Sequence, residues 1–129
     1  MESKKSSFRS GPYKAFYAQG VRVGDALYLS GQVGVDAKGV AGADLPAQIE
    51  LAYANIQRVL SQFGATLDNV VDETLFVTDM QELLRQAETI YAKRQQAYGK
   101  QPEVCQTVVQ VSALVMPELK VEIKCIAQL

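Results

Sequence analysis

The chain reads as an α+β domain of two layers, a mixed β-sheet with two helices on one face, in the order β-β-α-β-α-β-β. Three observations predict it. Two segments repeat apolar residues at spacings of three and four, the mark of an amphipathic helix. Several runs are β-branched and apolar, and the clearest of them alternate with the two-residue period of a half-buried strand. Each helical stripe lies between strand runs and needs the apolar face of a sheet as its partner. The 129 residues fit one domain, and the 48% hydrophobic content suffices for one core.

Residues 1–10 are polar and charged and read as a flexible arm, leaving a single domain over 11–129. Tyr17–Val23 and Ala26–Val35 are the first two strands. Gly24-Asp25 between them suits a tight hairpin, because glycine tolerates positive φ. Residues 36–45 hold glycines and aspartates and read as a loop. Pro46–Phe63 follows as a helix whose stripe is Ile49, Ala52, Tyr53, Ile56, Val59, Leu60 and Phe63. Asp44 suits its N-cap, Pro46 its first turn and Gly64 its stop. Asn69–Thr78 is a strand with Val71, Leu75 and Val77 on one face, where Glu73 is the misfit. Asp79-Met80-Gln81-Glu82 opens the second helix, whose stripe runs from Met80 to Tyr98. Val104–Val111 and Leu119–Ala127 are the last strands. In the final one Leu119, Val121, Ile123, Cys125 and Ala127 share one face, with Lys120, Glu122, Lys124 and Ile126 on the other.

Composition excludes several chemistries. There are 13 basic against 14 acidic residues and no basic stripe, which argues against a nucleic-acid partner. The chain has no histidine, so neither a Ser-His-Asp nor a Cys-His site is available within it, and the commonest metal ligand is missing. No metal site is expected. Cys105 and Cys125 sit in apolar runs and read as two reduced core thiols, with a cross-strand disulfide as the alternative. The polar Met1–Ser10 and the lack of a long apolar span point to a soluble cytoplasmic protein and no membrane partner.

Glu122 is the candidate acid-base residue. Its neighbours Val121 and Ile123 are expected to be buried, and a partly desolvated carboxyl has a raised pKa suited to proton transfer. The alternative is a surface glutamate paired with Lys120 or Lys124. Tyr17 is placed to set a phenol beside a small ligand, or else to cover the core edge. Ser30-Gly31 interrupts an apolar run. A glycine there marks either a close backbone approach to a ligand or a simple strand irregularity. The sheet's second face mixes Phe76, Val108 and Ile126 with Thr, Gln, Glu and Lys. It suits a subunit interface or an ordinary exposed face.

Gly11-Pro12-Tyr13, Tyr17-Ala18-Gln19-Gly20, Leu29-Ser30-Gly31-Gln32, Val77-Thr78-Asp79-Met80 and Lys120-Val121-Glu122-Ile123 occur in this order over nearly the whole chain. Together they resemble the Rid family (YjgF/YER057c/UK114-like). The resemblance implies a chorismate-mutase-like fold, homotrimers and small-molecule clefts between subunits. It also implies, for the deaminase branch, hydrolysis of 2-imino or enamine acids without any cofactor. Other members are described as translation inhibitors or endoribonucleases. Carried over by position, Glu122 activates a water, while Tyr17, Ser30 and Gly31 shape the pocket. Three positions depart from the family pattern. Gln106 takes the place of the deaminase branch's arginine, Glu88 stands where many members have asparagine, and Val108 where many have cysteine. A neutral amide is a poor anchor for a carboxylate. These departures imply a substrate other than the usual 2-imino acids, or a non-catalytic metabolite-binding trimer using the same cleft. They also predict that Gln106→Arg raises turnover of 2-imino acids.

Overall fold

Gly24, at φ 59°, and Asp25 turn the chain between β2 (Gly20–Val23) and β3 (Ala26–Leu29), which pair antiparallel with Val23 opposite Ala26. This is the predicted hairpin, seen in a computed structural model that describes residues 5–129. Of the arm read over 1–10, residues 1–4 lie outside the described residues. Lys5–Phe8 is not an arm but a strand, β1, paired antiparallel with β2. Its polar composition hides it because it sits at the sheet edge, where backbone hydrogen bonds rather than apolar burial hold a strand. The second predicted strand is broken at Ser30-Gly31, and a short β4 (Gln32–Val33) resumes beyond it.

Helix α1 spans Leu45–Ser61. The Asp44 carboxylate accepts a hydrogen bond from the Ala47 N–H at 2.9 Å, and Gly64 takes φ 71° just past the end, as the caps predict. The carboxamides of Gln48 and Asn55, both buried, tie α1 to the sheet side. Gln48 Nε2 donates to the carbonyls of Gly42 and Glu118, and Asn55 Nδ2 to those of Val33 and Val35. Gly34 is needed for this close approach, since a Cβ there would lie 2.5 Å from Gln48 Cα.

A single 3-10 turn (Leu67–Asn69) leads into β5 (Val70–Val77). Asp79 caps the next helix through the Glu82 N–H at 3.2 Å. The predicted second helix is divided at Gln86 (φ −111°, ψ 18°) into α2 (Met80–Arg85) and α3 (Ala87–Tyr98). No glycine or proline signals that break. Strands β6 (Cys105–Gln110) and β7 (Val121–Gln128) close the chain.

The seven strands form one sheet in the order β1-β2-β3-β7-β5-β6, with β4 also on β7. β5 and β6 run parallel and the other pairs antiparallel, so the sheet is mixed. Leu27, Leu29, Leu75, Val77, Val121, Ile123, Cys125 and Ala127 meet Ile49, Ala52, Tyr53, Ile56 and Leu60 of α1 in the core. The helices cover that face alone, and the other face is open. Val71, expected in the core, is instead 46% exposed, because the β5–β7 register shifts between Val70 and Asp72. Val70 takes the buried place. The cysteines are both free: Cys125 is buried as expected, but Cys105 is exposed. Cys105 pairs with Asp72 and Cys125 with Glu73, so they point to opposite faces and no disulfide joins them.

Candidate functional site

Strand alternation puts Glu122, Lys124 and Ile126 of β7 on the open face, since Val121, Ile123 and Cys125 are buried. The Glu122 side chain folds over Gly31: a Cβ on Gly31 would lie 2.2 Å from Glu122 Oε2. Glycine is therefore required here for the carboxylate to approach the backbone. The segment holding Gly31 is itself built in. The Ser30 hydroxyl donates to the Ala18 carbonyl at 2.7 Å, and the Ser30 N–H to the Gln19 carbonyl at 2.9 Å. Gln32 Nε2 donates to Gln19 Oε1 at 2.8 Å and to the Ser30 carbonyl at 3.1 Å. These bonds hold the 17–19 segment beside the break between β3 and β4, and so bring Tyr17 near Glu122.

Burial lifts the Glu122 carboxyl above its ordinary 4.5, and the nearby Lys124 ammonium offsets part of that rise. The direction is the one expected from the sequence, but Val121 and Ile123 face the core, and the burial comes from the approach to Gly31. Burial, the Tyr13 phenol and the Glu122 carboxylate all push the Tyr17 phenol up, so it remains a hydrogen-bond donor at neutral pH. Tyr17 stacks on Tyr13 with ring centroids 6.0 Å apart, yet stays 43% exposed. Phe16 beside it is 78% exposed. An acid-base carboxyl, a phenol and a glycine-backed surface thus share one patch, open to solvent in the single chain. A cavity of about 240 Å³ lies between α1 and α3, and another of about 300 Å³ is lined by residues 67–71 and 98–104. Neither touches Tyr17, Ser30, Gly31 or Glu122.

Gln106 and Glu88 do not join this patch. Gln106 pairs in register with Glu73, and both side chains point to the helix layer. Gln106 Nε2 donates to Glu73 Oε1 at 2.7 Å, while its Oε1 accepts from the Tyr91 hydroxyl at 2.5 Å. On β6 the side chains that share Glu122's face are those of Cys105, Thr107 and Val109. An arginine at 106 would enter the helix side, so the gain of imino-acid turnover expected of Gln106→Arg has no structural basis. Glu88 is exposed in the first turn of α3, which packs on the other side of the sheet. Val108 also points to the helix side, packed against the core.

The network around Gln106 is absent from the sequence reading. Glu73, the misfit carboxylate of β5, is 1% exposed. It accepts hydrogen bonds from Tyr98 at 2.8 Å, Tyr53 at 3.1 Å and Arg94 Nε at 2.5 Å, besides Gln106. Burial opposes the charge on Arg94, but Glu73 and its hydrogen bond more than offset this and hold the guanidinium above its ordinary value. Burial, with Glu73 next, raises the Tyr53 and Tyr98 phenols far above their ordinary range, so both act as donors. The available signal is Glu73 itself: a carboxylate on an apolar strand face needs buried donors.

Among the described residues no cluster of His, Cys, Asp and Glu is arranged to hold a metal ion, and no helix is long and apolar enough to cross a membrane. Residues 10–129 match the family model for Endoribonuclease L-PSP. The chain is 34% identical over 113 residues to the RutC family protein YjgH of Escherichia coli, covering 88% of this chain and 82% of that protein. A 2-iminobutanoate/2-iminopropanoate deaminase of Salmonella typhimurium is 33% identical over 67 residues, about half of each chain. The fold superposes on the crystal structure of a Mycobacterium tuberculosis member of the YjgF/YER057c/UK114 family with a TM-score of 0.82. That match has 31% identity and covers 98% of this chain and 100% of that one. With nearly its whole length in the family model and the same two-layer α+β fold as these relatives, the chain belongs to the Rid (YjgF/YER057c/UK114) family.

Proposed function

We propose that this protein is a cofactor-free hydrolytic deaminase of a small imine or enamine metabolite, with Glu122 as its acid-base residue. The observation that carries the reading is the half-buried Glu122 carboxyl, partly desolvated and seated over Gly31 beside the Tyr17 phenol. A carboxylate of raised pKa is a competent base and, once protonated, a competent acid. It takes a proton from water as the water oxygen bonds to the imine carbon, and the C=N π electrons move to nitrogen. The same carboxyl returns the proton to nitrogen. Glu122, again a carboxylate, takes the carbinolamine hydroxyl proton and passes it to nitrogen; the oxygen electrons form the C=O bond as the C–N bond breaks, and ammonia leaves a carbonyl product. Water supplies the oxygen, and no oxidant or metal enters the balance. Tyr17 donates to the substrate, and the Ser30-Gly31 backbone forms the floor. The partial match to the Salmonella deaminase supports this reaction class.

The working form in this proposal is a homotrimer. Tyr28 and Val109 on the open sheet face are exposed apolar side chains, and the Glu122 patch has no wall on its outer side within one chain. A second copy would supply that wall. The alternative reading is a non-catalytic trimer that binds a metabolite in the same cleft. Ammonia release from freshly generated imines, compared between the wild type and Glu122→Gln, separates the two. Turnover above the spontaneous rate that is lost in the variant supports the enzyme. Binding without turnover supports the alternative.

A further inference from the structure

Lys124 is two residues beyond Glu122 on the same face of β7, about 6.7 Å away along the strand. The two charges feel each other but form no ion pair: the Lys124 ammonium turns to the Leu29 carbonyl at 3.0 Å, and Glu122 lies over Gly31. An ammonium has three donors, and this one makes a single hydrogen bond among the described residues. The other nearby lysine is already engaged, since Lys120 Nζ sits 3.0 Å from Glu82 Oε1. Leu29, Ser30 and Gly31 are consecutive, so the ammonium and the carboxylate flank one short stretch of backbone. On β6, the side chains turned to this face are a thiol, a hydroxyl and a methyl-bearing residue, none of them cationic.

We propose that Lys124 is the anion-binding residue of this patch, its ammonium holding the carboxylate of a ligand whose reacting carbon lies on the outer side of the Glu122 carboxylate, which itself fills the space over Gly31. The inference rests on the deaminase reading for the identity of that carbon, but the anion site does not depend on turnover. The free donors of Lys124 take the carboxylate oxygens, and Glu122, held against Gly31, faces the adjacent carbon. The charge preference of the site is thus set from β7, not from Gln106.

The test is an NMR titration of backbone amides with sodium pyruvate and with its neutral analogue pyruvamide, at constant ionic strength. Wild type, Lys124→Met and Lys124→Arg are compared. Pyruvate is expected to shift the Ser30, Gly31 and Lys124 amides of the wild type and to bind more tightly than pyruvamide. Loss of one charge-assisted contact predicts binding weaker by about tenfold or more in Lys124→Met. Lys124→Arg is expected to retain it. Equal pyruvate binding by wild type and Lys124→Met overturns the proposal, as does a wild type that binds no pyruvate or fails to distinguish it from pyruvamide. Lys124-dependent pyruvate binding without turnover of any imine refutes the deaminase reading alone. Turnover of neutral imines with no Lys124-dependent pyruvate binding refutes the anion site alone.

Discussion

Glu122 costs the folded protein stability wherever it is ionised. Its folded-state pKa is raised, so its contribution is fully favourable below the unfolded value and declines as pH rises through the folded one. Glu122→Gln is therefore expected to raise the melting temperature at pH 7 to 8, and the difference should vanish below the ordinary 4.5 of a glutamate. Thermal unfolding of both proteins across pH checks this. An unchanged melting temperature at pH 7 would mean that Glu122 is solvated. Gly31→Ala should act on the same group by another route. Its Cβ would sit 2.2 Å from Glu122 Oε2, so the carboxylate must swing away, and kcat should fall by about tenfold or more with circular dichroism unchanged. The direction of the Glu122 shift agrees with the sequence reading but not with its reason: Val121 and Ile123 point to the opposite face, and the carboxyl is partly buried by its approach to Gly31 across the strand break. The place of Gln106 was not legible in the sequence. Which face it takes depends on its pairing with Glu73, a contact across 33 residues that no local pattern records.

At the scale of elements, α1, α3, β5 and β6 are joined through one buried ion pair. Glu73 is fully buried and Arg94 nearly so, and each leaves the other an uncompensated charge if removed. Glu73→Leu and Arg94→Leu should each destabilise by about 3–5 kcal/mol, with the double variant losing less than the sum of the two. Urea denaturation of the three proteins measures the coupling, and strict additivity would show that the pair contributes nothing as a pair. The helices and their caps were legible because a 3.6-residue stripe and an Asp N-cap are local signals. Strand β1 was not, since an edge strand of Lys, Ser and Phe carries no alternation to read. The division at Gln86 has no local cause that a sequence displays.

The whole molecule has a covered face and an open one. The helices and the core occupy the first; Glu122, Lys124, Tyr28, Phe76 and Val109 share the second. If three copies close over the open face, a charge set among its apolar residues should separate them. Val109→Arg is expected to shift the sedimentation of the chain from three times its mass toward one, with the secondary structure intact. A wild type that sediments as a monomer at micromolar concentration contradicts the trimer. The two-layer order was legible from the alternation of strand and helix patterns alone. The proposed trimer rests, in the sequence, on a mixed second face and on what the family resemblance implies, because a partner leaves little other trace in one chain.

The most direct test of the central claim is kcat/KM against pH for imine hydrolysis by wild type and Glu122→Gln. The raised Glu122 pKa predicts an acidic limb in the wild type with its midpoint above 4.5, and the variant should lose both the limb and nearly all turnover. A profile that is the same in the two proteins, or no turnover by the wild type at any pH, would contradict Glu122 as the residue that moves the proton.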